Sequence, residues 1–426
     1  MPWRLQDDTK SRGLPPDNLC LVREGRFQGL DGIRGAAAML VVFAHAFPIA
    51  QYRHTWLAIV SVISQYGWLG VELFFVLSGF LITGILLKNR DAENYFQAFY
   101  WHRTLRIFPL YFAFVAICLL VIPWLDPERD EFLRFNRKGP VWPYWAFLSN
   151  YVCCIDMQPH RLVAVLWSLA IEEQFYIVWA VLVRYFSLQR VVLVAAFLVV
   201  LGPVLRIILP LVGWSTPTVF YFTPAHFDPL ALGALARIAF DYRRSLAKSA
   251  GRWWPAMLAV LVVVCALDSG TVHEAYRPLM MKLGYSVTAA TCASLILFVV
   301  TRESIVQRFL DSRPMRSLGA YSYFIYLFHL VLWSFPVYVI WRNADMTALV
   351  LRKLRIHIWA IDFSTEGWRF LEVIVSVIIA GWLSYRFVER PILSLKGVVP
   401  YRGREQIAEQ ISPSNAGKPI TEQTAP

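Results

Sequence analysis

About ten apolar segments, most of them long enough to cross a lipid bilayer, follow one another along this 426-residue chain. They lie at residues 31–49, 68–88, 104–125, 163–185, 190–213, 225–240, 254–269, 283–301, 317–341 and 370–388. Hydrophobic residues make up 57% of the chain, charged residues make up 16%, and the mean hydropathy is +0.49. This composition excludes an ordinary soluble protein. We therefore expect an all-α, polytopic membrane helix bundle of about ten transmembrane helices.

Basic residues indicate the orientation of this bundle. The net charge is +12, and Lys and Arg are concentrated in alternate loops, as the positive-inside rule describes. The basic set comprises the N-terminus, residues 88–106, 184–190, 237–252 and 302–316, and the C-terminus. In the opposite set, residues 126–161 and 342–369 also carry several basic residues, but they are long enough for the rule to weaken. Both termini are therefore predicted to be cytoplasmic.

We divide the chain into three parts. Residues 1–27 form a cytoplasmic N-terminal segment, residues 28–395 a membrane domain, and residues 396–426 a disordered cytoplasmic tail. The N-terminal segment has no apolar core, so we expect no cleavable signal peptide and a first helix that serves as signal-anchor. The six cysteines show no metal-ligand spacing, and Cys153 and Cys154 in a predicted outer loop could form a disulfide or stay reduced.

The first apolar segment carries Asp31, Arg34 and His45. Eleven residues separate Arg34 from His45, which places both side chains on one helical face, about 16 Å apart along the axis. Ionisable groups at bilayer depth survive mainly where they face a polar cavity, so this stripe suggests an anion site at Arg34 and a proton acceptor at His45. The alternative is that Arg34 reaches the membrane surface and His45 is a hydrogen-bonded core residue.

The fourth segment carries Ser168, Glu172 and Tyr176 on one helical face. The adjacent carboxylates of Glu172 and Glu173 cannot both stay charged at bilayer depth without partners, and Arg206 or Arg34 could be the ion-pair partner. The motif therefore predicts either functional acids or a buried ion pair that fixes helix packing.

Other polar residues also fall at the helix ends or inside the apolar segments. Arg103 and Arg106 are three residues apart on one helical face, a spacing that suits a phosphate and equally suits anchoring at the cytoplasmic surface. Glu72 and Asp228 lie at predicted helix mouths, where an interfacial acid is the alternative to a binding role. His329 ends an aromatic stripe that is typical of packing, although a histidine in lipid needs a partner.

Five motifs in this order resemble the signature of the acyltransferase-3 family of integral membrane acyltransferases. They are Arg34 and His45 after Leu-Asp-Gly, the run FFVLSGF at 74–80, Arg103 with RIFPLY at 106–111, WSLAIEEQFY at 167–176, and YRFVERP at 385–391. The resemblance covers about residues 28–395. Two departures are visible: His226 stands where the family commonly has Arg, and Glu72 replaces a common Asp.

The resemblance implies an enzyme in the bacterial inner (plasma) membrane. Such enzymes move an acyl group, often acetyl from acetyl-CoA, to a hydroxyl of a surface or exported carbohydrate, such as an O-antigen, exopolysaccharide or Nod factor. The expected partners are therefore acyl-CoA as co-substrate, a carbohydrate or lipid-linked glycan acceptor and the lipid bilayer, with no tightly bound cofactor and no nucleic acid. Some members carry an additional hydrolase-like domain that this sequence lacks, so we expect this chain to act alone or with a separate partner.

The residues and the resemblance together give a candidate site. The catalytic candidates are His45, Glu172 and Glu173, and the substrate-binding candidates are Arg34, Arg103, Arg106, Tyr176, Glu72 and Asp228. In this hypothesis the arginines hold the CoA phosphates, His45 acts as base or as acyl carrier, and one of the acids sets the tautomer of His45 or binds sugar hydroxyls. Direct transfer and an acyl-histidine route both stay open.

Two rival hypotheses involve no covalent chemistry. In a transporter or flippase of a lipid-linked sugar, the same charges would line a path through the membrane. The absence of an internal sequence repeat weighs against that class. In a scaffold of an export complex, the charges would have no role in the reaction.

Overall fold

The computed structural model describes residues 22–23, 26–46, 64–125, 140–155, 162–268, 278–342 and 366–402. Across these ranges the chain is helical, apart from an antiparallel pair of two-residue strands, β1 (Val22–Arg23) and β2 (Arg26–Phe27). Residues 1–21 and 403–426, which make up most of the two predicted terminal segments, lie outside the described residues. The predicted all-α class is confirmed for the described part of the membrane domain.

The helices are numbered in chain order over the described residues. They are α1 (Leu30–Ala46), α2 (Leu69–Lys88), α3 (Tyr95–Ala116), α4 (Trp142–Trp145), α5 (Ser149–Cys154), α6 (Leu166–Tyr185), α7 (Leu188–Leu211), α8 (Thr216–Tyr221), α9 (Phe227–Tyr242), α10 (Arg244–Arg252), α11 (Trp254–Leu267), α12 (Tyr285–Thr301), α13 (Ile305–Leu310), α14 (Arg313–Arg342), α15 (Glu366–Ser384) and α16 (Arg390–Ser394). Short 3-10 or π-helical turns adjoin several of them, at Gln65–Trp68, Ile117–Val121, Thr223–His226, Met280–Gly284, Tyr385–Glu389 and Leu395–Val398. After Ile117–Val121, one α-helical turn at Ile122–Leu125 continues α3.

Each of the ten predicted membrane segments coincides with a helix, namely α1, α2, α3, α6, α7, α9, α11, α12, α14 and α15. Among the described residues, five helices are long and apolar enough to span a membrane, and a sixth is added if the bent pair α10 and α11 forms one span. The third segment begins at Tyr95 rather than at 104, because Tyr95 and Phe99 are buried and extend the apolar face of α3. The tyrosine hydroxyl of Tyr95 donates to the carbonyl of Ala180 on α6, at 3.0 Å.

Backbone-to-backbone packing holds the helices that carry the polar residues. A Cβ atom added at Gly79 of α2 would lie 2.0 Å from the carbonyl oxygen of Leu230 on α9. A Cβ atom added at Gly319 of α14 would lie 2.0 Å from the carbonyl oxygen of Asp31 on α1. Only glycine permits these approaches, so α2 is fixed on α9 and α1 is fixed on α14.

The core and the lipid-facing surface are both apolar, as expected for a membrane protein. Phe99, Tyr111, Phe175 and Trp179 are buried between α3, α6 and their neighbours, and the indole N–H of Trp179 donates to Thr83 Oγ1 at 2.9 Å. Helix α7 lies at the periphery, where its large apolar side chains are exposed, among them Leu193, Phe197 and Val200. These exposed side chains are suited to contact with lipid tails.

The cysteines of α5 are reduced in this structure. Cys153 and Cys154 are both free thiols and both are buried. The Cys154 thiol lies 3.5 Å from the carbonyl oxygen of Thr218 on α8, within reach of a weak hydrogen bond. Of the two possibilities for this pair, the structure therefore shows the thiol form.

Candidate active site

A polar cavity lies between α1, α2, α3, α6 and α14. It encloses about 630 Å³ of space, part of it open to solvent. Its polar lining comprises Arg34, Ser78, Arg103, Arg106, Ser168, Glu172, Tyr176, Ser322, Tyr323 and Tyr326. Five of the nine residues predicted from the sequence meet at this cavity, although they come from three separate helices.

Three arginines form the cationic part of the cavity. Arg34 comes from α1, whereas Arg103 and Arg106 lie about one turn apart on α3. The three guanidinium groups are close enough to repel one another, and Asp31 Oδ1, 3.8 Å from Arg34 Nη1, compensates part of this charge. The Arg103 guanidinium also lies 5.0 Å from the ring centre of Tyr176, within cation–π range. A cluster of forked donors with this excess of positive charge is suited to phosphate groups.

Glu172 lies next to the arginines and accepts two hydrogen bonds. The Ser78 hydroxyl donates to Oε1 at 3.0 Å, and the Tyr176 hydroxyl donates to Oε2 at 2.9 Å. The shared face predicted for Ser168, Glu172 and Tyr176 is confirmed, since all three line the cavity. The suggestion that Arg206 pairs with one of these two acids is wrong, because Arg206 is bound to Asp228.

The two residues that follow Glu172 point away from the cavity. Glu173 is not part of the lining, and its buried Oε1 has no hydrogen-bond partner among the described residues. Gln174 Nε2 donates to the carbonyl of Phe147 at 2.9 Å and to Asn150 Oδ1 at 3.0 Å, which ties α6 to the segment around α5. Within this motif Glu172 therefore faces the cavity, whereas Gln174 is bonded to the neighbouring segment around α5.

Ser168 lines the cavity about two turns of α6 away from Tyr176, the residue that Arg103 contacts, and Tyr326 lies beside Ser168. The Tyr326 hydroxyl is 2.5 Å from Ser168 Oγ and also donates to the carbonyl of Val165 at 3.1 Å. On α14, Ser322, Tyr326 and His329 recur at intervals of three or four residues and therefore share one face. This face leads from the cavity toward the end of α1.

His45 and His329 form a pair about one turn of α14 beyond Tyr326. Their ring centres are 4.9 Å apart, and His45 Nδ1 is 3.3 Å from His329 Nε2. His45 Nδ1 is also 2.9 Å from the carbonyl of Val41, and His329 Nδ1 is 2.7 Å from the carbonyl of Tyr326. His45 is exposed, whereas His329 is buried.

These contacts assign the tautomers of the two rings. A carbonyl oxygen accepts only from an N–H group, so each Nδ1 carries the proton. His329 Nε2 then presents a lone pair to the His45 Nδ1–H group, and the basic nitrogen of His45 is Nε2. The suggestion that Glu172 or Glu173 sets the tautomer of His45 is therefore wrong, because Val41 and His329 do so.

His329 lies beside His45 outside the cavity lining, although the sequence predicts only that this histidine needs a partner and does not name it as a site residue. The sequence feature that could have indicated this position is the helical spacing of His329 from Tyr326 and Ser322. Ser78, Ser168 and Tyr326 are likewise absent from the predicted site residues, although all three belong to the family motifs or to the aromatic stripe.

Two predicted binding residues lie elsewhere, in a second buried polar cluster. The Asp228 carboxylate accepts from Arg206 at 2.9 and 2.8 Å and from the Ser286 hydroxyl at 2.7 Å, which joins α7, α9 and α12. Glu72 Oε1 lies 3.8 Å from His226 Nδ1, and both residues are buried. The structure does not bring Glu72 or Asp228 to the cavity lining: Asp228 is bonded to Arg206 and Ser286, and Glu72 lies beside His226.

The apolar helices and the cavity define a membrane protein with a polar cavity between its helices. A family profile described as an acyltransferase domain matches residues 27–386. The chain therefore belongs to the acyltransferase-3 family of membrane acyltransferases, as its motifs indicate.

Three bacterial proteins are similar to this chain over most of its length. The chain is 29% identical over 382 residues to YrhL of Bacillus subtilis (strain 168). It is 27% identical over 377 residues to the peptidoglycan O-acetyltransferase OatA of Listeria monocytogenes, and 22% identical over 379 residues to the O-acetyltransferase OatA of Staphylococcus aureus (strain NCTC 8325). Each alignment covers 85% of this chain but only 54%, 55% and 57% of the respective relative, so the chain spans about half their length. No solved structure matches.

Replacing Glu172 with Gln separates a functional acid from a packing residue. The amide oxygen still accepts one hydroxyl hydrogen bond, so we expect normal amounts of membrane-inserted protein. The loss of one charged hydrogen bond should lower acylation at least about tenfold. Immunoblotting gives the amount of protein, and transfer of labelled acetyl gives the activity. The matched variant Glu173→Gln should lower acylation less. If it lowers acylation more than Glu172→Gln does, Glu173 is the catalytic candidate instead.

Proposed function

We propose that this protein is a membrane O-acyltransferase that moves an acyl group, acetyl in the simplest case, from acyl-CoA to a hydroxyl of a surface or exported carbohydrate. One observation carries the proposal: three arginines line a cavity that also includes Tyr326, and the Tyr326 carbonyl is bonded to His329, the partner of His45. Such a site offers an anion anchor and a base about 16 Å apart along α1.

The proposed topology has ten transmembrane helices in the inner (plasma) membrane, with both termini cytoplasmic. Residues 28–395 are the membrane domain, and residues 1–27 and 396–426 are cytoplasmic segments. Helices α1 and α14 support this topology: Gly319 near the start of α14 packs on Asp31 at the start of α1, and their later histidines also meet. The two helices are thus parallel, as the first and ninth segments of an alternating bundle must be.

The donor is held by its anionic groups. Arg34, Arg103 and Arg106 bind phosphates of acyl-CoA, because guanidinium forks match phosphate oxygens in pairs. Acyl-CoA is a co-substrate, and no tightly bound cofactor is needed. With its phosphates at the arginines, the thioester arm extends along the cavity past Glu172 toward Tyr326.

The chemistry takes place at His45. As base, Nε2 accepts the proton of the acceptor hydroxyl while the hydroxyl oxygen attacks the thioester carbonyl; the carbon–sulfur bond breaks, and the imidazolium returns that proton to the departing CoA thiolate. As carrier, Nε2 itself attacks the thioester carbonyl, the carbon–sulfur bond breaks, and CoA leaves as the thiolate from an acyl-imidazolium. The acceptor oxygen then takes the acyl group, the neutral imidazole is regenerated, and the proton of the hydroxyl neutralises the released thiolate. In both routes His329 acts as a positioning residue, because its Nε2 lone pair keeps the His45 proton on Nδ1.

The acceptor is a carbohydrate hydroxyl. The Listeria relative is named for peptidoglycan, so peptidoglycan fragments are the first acceptors to test, followed by lipid-linked glycans. The alternative of a flippase for a lipid-linked sugar gains no support from the relatives, whose names describe acetyl transfer.

The proposal is tested with the purified protein in lipid nanodiscs. Acetyl-CoA with a labelled acetyl group is supplied with and without muropeptide or other glycan acceptors. We expect CoA release that depends on the acceptor, and label in an alkali-labile ester on the glycan. Movement of a lipid-linked glycan across vesicles without any use of acetyl-CoA would instead establish the flippase.

Arg34→Lys should retain only part of the activity. An ammonium group keeps the charge but cannot form the paired hydrogen bonds of a guanidinium fork. Losing one charge-assisted hydrogen bond raises the KM for acetyl-CoA about tenfold, with a smaller effect on kcat. Steady-state kinetics at saturating acceptor measures both constants. Kinetics equal to those of wild type would reduce Arg34 to a topological charge.

A further inference from the structure

Residues 395–402, termed the C-terminal strap, pack against the first turns of α3. The indole N–H of Trp101 donates to the carbonyl of Leu395 at 3.2 Å, and His102 Nε2 lies 3.1 Å from the carbonyl of Lys396. Farther along, Asn94 Nδ2 donates to the carbonyl of Pro400 at 2.7 Å, and Asn94 Oδ1 accepts from the backbone N–H of Arg402 at 2.9 Å. The strap is therefore fixed on the same helix that carries Arg103 and Arg106.

This attachment places one more cation beside the arginines. The Lys396 backbone is bonded to His102, the residue just before Arg103, and the Lys396 side chain is half-buried. Within the part of the chain that the structure describes, no carboxylate lies at salt-bridge distance from it. Burial and the positive charges of Arg106, Arg103 and Arg34 lower the pKa of Lys396 to about 8. A lysine held among three arginines without a carboxylate is destabilised unless an anion binds there.

We propose that Lys396 binds the 3′-phosphate of the donor coenzyme A. This inference rests on the proposed function and deepens it. We choose this phosphate because of the order of the phosphate groups along coenzyme A. The three arginines line the cavity itself, whereas Lys396 lies on the C-terminal strap, outside the last membrane helix. A coenzyme A molecule that enters thioester first brings its pyrophosphate to the arginines and leaves its ribose 3′-phosphate nearer the surface.

The test compares two ligands on the wild-type protein and three variants in nanodiscs. Calorimetry measures the Kd of coenzyme A and of 3′-dephospho-coenzyme A, which lacks only that phosphate. In wild type, removal of the phosphate should weaken binding about tenfold. In Lys396→Gln, coenzyme A should bind about tenfold more weakly, and the two ligands should bind equally. Lys396→Arg should restore the preference, and Lys88→Gln, an exposed lysine at the end of α2, serves as the matched control.

The possible failures are distinguishable. If wild type binds neither ligand, the proposed function fails and this inference fails with it. If wild type binds coenzyme A but Lys396→Gln weakens both ligands equally, or weakens neither, only the role of Lys396 is overturned.

The same lysine gives the binding reaction a pH dependence. The groups facing it are the guanidinium groups of Arg34, Arg103 and Arg106, together with His102 and Tyr401 of the packed elements. With a lowered pKa of about 8, Lys396 is protonated below that pH and loses its charge above it. The preference for coenzyme A over the dephospho form should therefore shrink as the pH rises through 8 to 9. In Lys396→Arg it should stay constant, and a parallel loss in that variant would contradict the assignment.

Discussion

His45→Ala is expected to lower acylation by about 10²- to 10⁴-fold while leaving expression and membrane insertion near normal, because a positioned general base contributes about that factor. The imidazole is exposed and its ring is set by two neighbours, Val41 and His329. The variant therefore removes the reacting nitrogen without opening a buried core. Transfer of labelled acetyl to the glycan measures the effect, normalised to the amount of folded protein.

Two further variants test whether the activity lost in His45→Ala is lost because the imidazole is missing. Leu40→Ala alters an exposed side chain of the same helix and should keep full activity. His329→Gln leaves His45 in place but removes the lone pair that fixes its tautomer, so it should lower kcat and shift the pH profile rather than abolish the reaction. Near-normal product from His45→Ala would overturn the proposed mechanism, including both of its routes.

Acyl transfer should require acetyl-CoA on the cytoplasmic face and the acceptor on the opposite face. In the proposed topology the basic N-terminus places Arg34 near the cytoplasm, and His45 lies about 16 Å further along α1, past the middle of a bilayer of about 30 Å. The proposed mechanism therefore moves the acyl group across the membrane inside the protein. Oriented vesicles with acetyl-CoA in one compartment and the acceptor in the other should form product in that one arrangement, and almost none in the reverse.

The control for sidedness places both substrates in the same compartment. Product formed only when both are on the cytoplasmic face would refute the crossing and leave an inward-facing transferase. His45→Ala vesicles supply the background of spontaneous acetylation, and coenzyme A measured in the donor compartment shows that the thioester was used there.

Much of the candidate site could be predicted from the sequence, because helical spacing alone decides which side chains share a face. Arg103 with Arg106, and Glu172 with Tyr176, follow from intervals of three and four residues. The partners across helices could not be predicted in this way. Arg206 binds Asp228 rather than the adjacent acids, and His329 rather than an acid holds His45. These pairings depend on which helices become neighbours, and a single sequence does not give that information.

The fold could be predicted to a similar degree. Apolar length placed a helix at each of the ten segments, yet α3 begins at Tyr95 because its polar first turns bury Tyr95 and Phe99 against neighbouring helices. From composition alone, those turns would be assigned to a loop. The order of the neighbours, with α1 between α2 and α14, depends on which backbones can touch.

The glycine contacts limit how this protein can be engineered. Exchanging a helical glycine for alanine is a common route to higher thermal stability, worth about 1 kcal/mol in an exposed helix. At Gly79 and Gly319 the same exchange would force a methyl group into a backbone oxygen 2.0 Å away. A consensus or alanine-based stabilisation scheme must therefore exempt these positions. Gly213, whose φ is +94° and whose surroundings are empty, gains nothing from alanine either.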